Sequence, residues 1–229
     1  MAARARRKRT RASAGEAPAD ARERILNAAL AVFSERGFEG ARTREIAERA
    51  DANLGLIKYY YDTKEKLWQA AVSRAFEQLR AEVGDLVFAA AEPDAAGERA
   101  RLERLLRAAV HFMARHPEFM RLMNDEGKRD GPRMRFLTDR FVKPMAVALA
   151  RRVDAARAAV RLPAISPVST HYIALGAVGL VFSQAPECLR LMGVDPTTEE
   201  FAGAHADAVI RLLLGPVATP DPPSDRSAG

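Results

Sequence analysis

Apolar side chains recur at intervals of three and four residues over most of the chain, which is the spacing of a helix that buries one face. The clearest example is a stripe within residues 20–36, formed by Ile25, Ala28, Ala29, Val32 and Phe33. Asp20 is a suitable N-cap for this helix, and Gly37 suits the left-handed position that follows a helix end. Strand-like alternation of apolar and polar residues is absent. The pattern predicts an all-α fold.

Two short helices are predicted next, over residues 43–50 and 54–60. Residues 51–53 form a tight turn between them, because Asp and Asn tolerate turn geometry. A longer helix over residues 64–91 completes the group. Two short helices joined by a tight turn and braced by longer ones are a helix-turn-helix, whose second short helix enters the major groove of DNA.

A loop is predicted at residues 91–97, within the larger helical body. Helices of the body are predicted near residues 98–115, 117–125, 131–160, 167–186 and 198–214. The last residues are rich in Pro, Ser and Asp, a composition typical of disorder. The predicted organisation is a basic arm, a helix-turn-helix domain, a helical body and a disordered tail, at residues 1–19, 20–66, 67–215 and 216–229.

The net charge of +6 over 229 residues is concentrated at the N-terminus. Residues 1–15 carry six basic side chains and no acidic one: Arg4, Arg6, Arg7, Lys8, Arg9 and Arg11. Such an arm is typically disordered and attracted to polyanions, which favours DNA as the partner. A solubilising tail, RNA binding and a membrane-surface role are the alternatives.

The composition argues against several classes of protein. The single Cys188 excludes an internal disulfide and a cysteine-based zinc site, and the four histidines lack the spacing of metal ligands. The longest apolar run, residues 173–182, is shorter than the roughly 18 residues of a membrane span. No signal peptide, phosphate loop, catalytic triad or paired-carboxylate motif is visible. We therefore expect a cytoplasmic protein that is not an enzyme and needs no metal or cofactor.

Basic and aromatic residues cluster around the two short helices. They are Arg42, Arg44, Lys58, Lys64 and Lys66, interleaved with Tyr59, Tyr60 and Tyr61. Lys and Arg neutralise phosphates, and Tyr hydroxyls donate to phosphate oxygens. Residues 20–66 nevertheless hold nine basic and nine acidic residues. Affinity for DNA must therefore depend on where these charges lie and on the arm.

Residues 22–72 resemble the N-terminal domain of TetR-family transcriptional regulators. The matching positions are Arg24, Ile25, Leu26, Ala28, Ala29, Phe33, Gly37, Phe38, Glu45, Ile46, Ala47, Ala50, Gly55, Ile57, Tyr60, Lys64, Glu65 and Leu67. The resemblance implies a helical dimer with an N-terminal three-helix DNA-binding domain and a larger C-terminal ligand-binding and dimerisation domain. It also implies a repressor that a small-molecule effector releases from its operator.

Five positions depart from the family pattern. Asp51 replaces the usual Gly of the turn, and Asn53 replaces the usual Ser or Thr at the cap of the second short helix. Both keep turn and capping chemistry. Lys58 stands where a Tyr is frequent and Tyr61 where a Phe is usual, which leaves the preferred DNA sequence open. Arg42 replaces the capping Ser or Thr before the first short helix, and Thr43 is a substitute cap.

By this resemblance, eleven residues face DNA: Arg42, Thr43, Arg44, Asn53, Leu54, Gly55, Leu56, Lys58, Tyr59, Tyr60 and Lys64. Arg44 is expected at the DNA backbone or a base edge, Leu56 at a thymine methyl group, and Lys64 at a phosphate near a helix N-terminus. Tyr61 is expected to pack in the core.

The last two predicted helices combine small and large apolar residues. The small ones are Ala174, Gly176, Ala177, Gly179, Gly203, Ala204, Ala206 and Ala208, and the large ones are Ile173, Val178, Leu180, Val209, Leu212 and Leu213. Small residues allow close helix approach, which suits either a homodimer interface or an intramolecular core. The family resemblance favours the homodimer.

The resemblance also implies an effector cavity in the body, for a small molecule that is largely apolar. Candidate wall residues are His111, Phe112, Phe119, Met120, Met123, Asn124, Phe136, Phe141, Met145, Tyr172 and Phe182. Met and Phe at helical spacing also suit an ordinary core. Two other functions stay open: a helical ligand-binding protein or enzyme with a vestigial head, and a protein that coats DNA without sequence preference. The sequence does not decide between repressor and activator.

Overall fold

A computed structural model of the protein describes residues 18–157 and 166–215. Over these residues the chain forms helices without strands, so the all-α prediction is confirmed. The helices are α1 (Pro18–Gly40), α2 (Thr43–Arg49), α3 (Leu54–Tyr61), α4 (Lys64–Phe88), α5 (Ala95–Arg115), α6 (Pro117–Glu126), α7 (Pro132–Leu137), α8 (Lys143–Ala156), α9 (Pro167–Ser183), α10 (Ala185–Met192) and α11 (Glu199–Leu214). A π-helical turn, Thr138–Val142, joins α7 to α8. The basic arm up to residue 17 and the tail from residue 216 lie outside the described residues.

Helices α1 to α3 and the start of α4 form the head, and the predicted stripe of α1 lies at its centre. Ile25, Ala29, Val32 and Phe33 are buried there against the long helix α4, which contributes Trp68. Burial of these apolar side chains supplies the main driving force for the head to fold. The body packs around α5, which contacts α4, α8, α9 and α11.

Helix α1 differs from its prediction at both ends. It begins at Pro18, so Asp20 lies in the first turn and is not the N-cap. Proline is favoured at the start of a helix because its φ is already helical and it needs no backbone donor. The break expected at Gly37 is present, with φ 66° and ψ 171°, but a further turn then continues to Gly40.

The predicted helix ends in the body are wrong in four places. Helix α5 begins at Ala95, inside the predicted loop, because the Asp94 side chain caps it by accepting from the N–H of Gly97 at 2.7 Å. Helix α4 stops at Phe88, where the buried Arg152 of α8 binds the carbonyl oxygens of Val87 (2.8 Å) and Ala89. The single helix predicted over residues 131–160 is divided by the π-helical turn. The helix predicted to reach residue 186 ends at Ser183, and α10 follows at an angle of 75°. Pro186 in the first turn of α10 favours this new helix start.

Among the described residues, no single helix has the length and hydropathy needed to cross a membrane. Helices α9 and α10 reach that composition only as a bent pair.

Candidate nucleic-acid interface

The turn between α2 and α3 is fixed by local hydrogen bonds. Asp51 adopts a left-handed conformation with φ 47°, and the N–H of Ala52 donates to the carbonyl of Ala47 at 2.9 Å. The Asn53 side chain accepts from the N–H of Gly55 at 2.8 Å and caps α3. The replacements at positions 51 and 53 therefore keep the turn and the cap, as predicted, and the helix-turn-helix is confirmed.

Helices α2 and α3 separate a buried face from an exposed one. Ile46 and Ala47 of α2 are buried, as are Ile57 and Tyr61 of α3. The prediction that Tyr61 packs in the core is confirmed, since only 4% of it is exposed. Burial also raises the pKa of its phenol.

The residues predicted to face DNA lie on the opposite, accessible face. Seven are exposed: Arg42, Arg44, Asn53, Leu54, Gly55, Lys58 and Tyr59. Thr43, Leu56, Tyr60 and Lys64 are partly exposed. Tyr59 is 80% exposed and Leu54 is 46% exposed, so α3 presents aromatic and apolar surface to the solvent as well as charge. The structure thus places these side chains within reach of a ligand as large as a duplex.

The proposed substitute cap of α2 is wrong. Arg42 occupies the N-cap with extended backbone geometry and makes no side-chain cap, and Thr43 is already the first helical residue. Glu45, the expected partner of a capping residue, instead binds Arg49 at 2.8 Å, one turn further along α2. Ion pairing within the helix has replaced the capping interaction.

Two arginines that the sequence reasoning missed hold the short helices in place. The Nη atoms of Arg49 bind both oxygens of Glu35 in α1, at 2.7 and 2.6 Å, and this hydrogen bonding lowers the pKa of Glu35. The Nε of Arg24 donates to the carbonyl of Ala50 at 3.1 Å, where α2 ends. These contacts join residues that are 14 and 26 positions apart in sequence, so only the tertiary structure reveals them.

The head meets the body around Phe38. The Nζ of Lys64 lies 4.7 Å from the centre of its ring and donates to the carbonyl of Glu39 at 3.3 Å. The guanidinium of Arg133, from α7 of the body, lies 3.9 Å from the same ring. Arg133 also binds Glu126 at 3.0 Å. A cation of the body therefore contacts the residues that position Lys64, a predicted phosphate contact.

The predicted effector residues lie mostly in the apolar interior of the body. Phe112, Phe119, Met120 and Phe182 are buried, and Met123, Phe136, Phe141 and Met145 are partly buried beside them. Phe119 and Phe141 both pack on Phe76, with ring centres 4.9 and 4.4 Å away. These side chains fill the interior in the structure, and their effector role stays a prediction.

The other three predicted effector residues lie apart. His111 pairs with Glu199 at 3.1 Å, and Asn124 lines a cleft between head and body. Tyr172 is two-thirds exposed on α9. Within the described residues, no group of His, Cys, Asp and Glu is arranged to hold a metal ion.

Two protein-family models match the chain. The model for bacterial regulatory proteins of the tetR family covers residues 25–71, and the model for the tetracyclin repressor-like C-terminal domain covers residues 99–213. The second match alone spans half of the chain. This chain belongs to the TetR family.

Solved structures share the TetR fold over most of the chain. The structure of AibR in complex with isovaleryl coenzyme A and operator DNA superimposes with a TM-score of 0.67 and 19% identity, covering 86% of this chain and 99% of that one. The ketosteroid transcriptional regulator KstR2 of Mycobacterium tuberculosis gives a TM-score of 0.66 at 20% identity, covering 90% of this chain and 99% of that one. Identities this low establish the fold alone.

Curated TetR relatives are named transcriptional repressors. NicS of Pseudomonas putida is 32% identical over 110 residues, or 48% of this chain and 50% of that protein. KstR of Mycolicibacterium smegmatis is 37% identical over 78 residues, or 34% and 38%. The chain thus matches half or less of the length of these relatives. Their names are those of regulators, in agreement with the expectation from the sequence.

Proposed function

We propose that the chain is a sequence-specific transcriptional regulator that binds DNA as a homodimer. The observation that supports this proposal is that α3 is held firmly in the head and leaves one face exposed. Lys58 and Tyr59 extend from a helix that Asn53 caps and that buries Ile57 and Tyr61 against the head. A rigid short helix with exposed basic and aromatic side chains suits the major groove. Such a regulator works at the chromosome, so we place it in the cytoplasm.

The eleven predicted DNA-facing residues divide into two roles in this proposal. Arg42, Thr43, Arg44 and Lys64 contact phosphates and set the register, because they lie at the edges of the helix-turn-helix. The remaining seven belong to the cap and face of α3: Asn53, Leu54, Gly55, Leu56, Lys58, Tyr59 and Tyr60. These lie in the groove, where base edges and thymine methyl groups can be read, and Lys58 also contacts a phosphate at the groove edge. We assign residues 20–66 to DNA binding and residues 67–215 to the effector and the dimer.

The dimer in this proposal uses α9 and α11. Ile173 and Leu180 of α9 are each 51% exposed, and Leu212 of α11 is 79% exposed. Val178 and Val209 instead pack inside the protomer, so each helix has one face toward its own body and another free for a partner. Exposed apolar residues of this size on adjacent helices indicate a protein–protein interface. A two-fold dimer presents two α3 helices to a roughly palindromic operator.

The effector in this proposal is a small, largely apolar molecule that binds among the Phe and Met side chains of the body. AibR, which shares the fold, was solved with isovaleryl coenzyme A, whose short acyl group is apolar although its coenzyme A part is polar and carries phosphates. Only the acyl part of that ligand supports the apolar effector proposed here. Release from the operator requires that the effector bind the DNA-free conformation more tightly than the DNA-bound one. The proposal is therefore a repressor that its effector releases.

The test is selection of bound duplexes from a random DNA pool, followed by affinity measurements at two salt concentrations. Recovery of one inverted repeat, bound far more tightly than bulk DNA, is the expected result. Equal affinity for random DNA would contradict sequence-specific regulation and support a DNA-coating protein. Absence of DNA binding at either salt concentration would contradict the proposal and support an effector-binding body with a vestigial head.

A further inference from the structure

A cleft of about 590 Å³ lies between the head and the body. Its head side is residues 34–39 at the end of α1, and its body side is formed by α6, the loop after it, α7 and the end of α9. Its volume is within the range of small-molecule sites, roughly 300–1,000 Å³. It is distinct from the apolar interior that holds most of the predicted effector residues, since only Asn124 of that group lines it.

The lining of the cleft is rich in cationic side chains. Five of them come from four different segments: Arg36, Arg121, Lys128, Arg129 and Arg133. Three carboxylates also line it: Glu35, Glu39 and Asp125. The lining therefore has an excess of two positive charges. A concave surface of one prevailing sign concentrates small ions of the opposite sign.

The carboxylates of the cleft already have cationic partners. Both oxygens of Glu35 are bound by Arg49, which is not part of the lining. Glu39 lies 3.8 Å from Arg133, and Arg36 lies 3.7 Å from Glu45, which is outside the lining. Asp125 is shared by Lys128 at 3.7 Å and Arg129 at 3.3 Å. Two cations for one carboxylate, at distances longer than those of tight ion pairs, leave positive charge available to an incoming anion. Lys128 and Arg129 are 68% and 65% exposed, so an anion can reach them without displacing core side chains.

Two guanidinium groups of the cleft are held in position by the protein. The Nε of Arg121 donates to the carbonyl of Ser183 at 3.1 Å, and the Nε of Arg133 donates to Glu126 at 3.0 Å. The Nη atoms of Arg133 also lie 3.8 Å from the carboxylates of Glu39 and Glu65, so this cation already has carboxylate partners. An arginine fixed through its Nε loses less side-chain entropy when its remaining N–H groups bind a phosphate or a carboxylate. The cleft thus combines the fixed Arg121 with the exposed pair Lys128 and Arg129.

We propose that this cleft is a binding site for a small polyanion that carries phosphate or carboxylate groups. Because the lining belongs to both the head and the body, the bound anion joins them and fixes the angle of α1 relative to α6. Binding of the anion does not depend on the proposed function. Its effect on DNA affinity does, since it assumes that the head binds an operator.

The binding test is isothermal titration of the full chain with pyrophosphate and, separately, with citrate, at constant ionic strength and without DNA. Saturable binding of at least one probe is expected, weakened about tenfold or more in Lys128→Ala/Arg129→Ala. The matched control is Arg135→Ala/Lys143→Ala, which removes two charges from exposed positions outside the lining and leaves binding unchanged. Comparison of the probes shows which anion class the cleft prefers.

Failure of both probes to bind would overturn the proposal, as would equal weakening in the two double variants, which indicates general charge attraction. Since Lys128 and Arg129 are exposed, circular dichroism is expected to show both variants folded. Arg121→Gln is a second, independent variant, and it should also weaken binding because it removes a fixed guanidinium. If the anion binds but does not change operator affinity, only the coupling between the sites is refuted.

Discussion

At the scale of single residues, Gly37 breaks the helical geometry of α1 beside the cleft between head and body. Its φ of 66° with ψ of 171° belongs to a region that is essentially restricted to glycine. An added Cβ would also lie 3.2 Å from an Asp125 carboxylate oxygen. Both the backbone conformation and the limited space beside Asp125 therefore favour glycine at position 37.

We expect Gly37→Ala to lower the free energy of unfolding by about 1–3 kcal/mol, the cost of the strained backbone. The measurement is urea denaturation followed by circular dichroism. Gly40→Ala is the control, because its added Cβ would meet only the Arg36 Cβ, at an ordinary 3.5 Å. Equal destabilisation by the two substitutions would refute the role of backbone conformation.

Arg133 is the second residue whose removal should have a large effect. Its guanidinium lies 3.9 Å from the centre of the Phe38 ring and binds the buried carboxylate of Glu126. Arg133→Ala leaves Glu126 without this cation, so we expect a loss of about 2–4 kcal/mol in unfolding free energy. Arg135→Ala, which removes an exposed partner of Asp130, should cost less than about 1 kcal/mol. Similar losses in the two variants would contradict this account.

At the scale of elements, α3 is expected to act through charge as well as shape. If Lys58 contacts a phosphate, Lys58→Ala reduces the slope of log affinity against log salt by about 0.9. The same substitution should leave the melting temperature unchanged, because Lys58 is exposed. Arg135→Ala on α7 is the control and should keep the wild-type slope. An unchanged slope for Lys58→Ala would mean that this lysine does not neutralise a phosphate.

The break in α1 and the cap of α3 were predictable because both are encoded locally. Asn53 caps α3 through a residue two positions away, and Gly37 breaks α1 through its own conformation. The end of α4 depends instead on Arg152, which is 63 residues from Ala89 in sequence. No local pattern contains that information. Pro186 did mark the start of α10, and the prediction treated it as the end of the preceding helix.

The candidate sites also divide into locally encoded features, which were predicted, and contacts between distant helices, which were not. The residues predicted to face DNA followed from a motif with fixed spacing, and all eleven are exposed or partly exposed in the structure. The ion pair of Arg49 with Glu35 and the contact of Arg133 with Phe38 join different helices and were missed. For the effector residues, the sequence specifies apolar side chains but not whether they enclose space or fill it.

At the scale of the whole molecule, a buried ion pair connects three helices of the body. Arg152 of α8 binds Glu98 of α5 at 3.1 Å and also binds carbonyls at the end of α4. Burial disfavours the charged form of Glu98, but hydrogen bonds from the Glu92 N–H and from Arg152 outweigh it, so the pKa of Glu98 is lowered. A carboxylate with a lowered pKa stabilises the fold only while it is ionised.

This contribution is complete above the ordinary glutamate pKa of 4.5 and is lost as the pH falls through the lower pKa of the folded state. We therefore expect wild-type stability to fall with acidification below that range. Glu98→Gln should be less stable at neutral pH and should show a shallower loss in acid. The measurement is chemical denaturation at a series of pH values. If Glu98→Gln lost stability in acid as steeply as the wild type, carboxylates other than Glu98 would be responsible for the loss.

The anchoring of α11 defines where the chain can be shortened or joined to another protein. The Nη atoms of Arg99 bind the carbonyl oxygens of Leu214 and Gly215, at 2.6 and 2.7 Å. Removal of residues 216–229 keeps both acceptors, whereas a cut before residue 214 removes them and leaves a buried guanidinium without these bonds. A fluorescent reporter attached directly after Gly215 should therefore report on the α11 surface while the body stays folded.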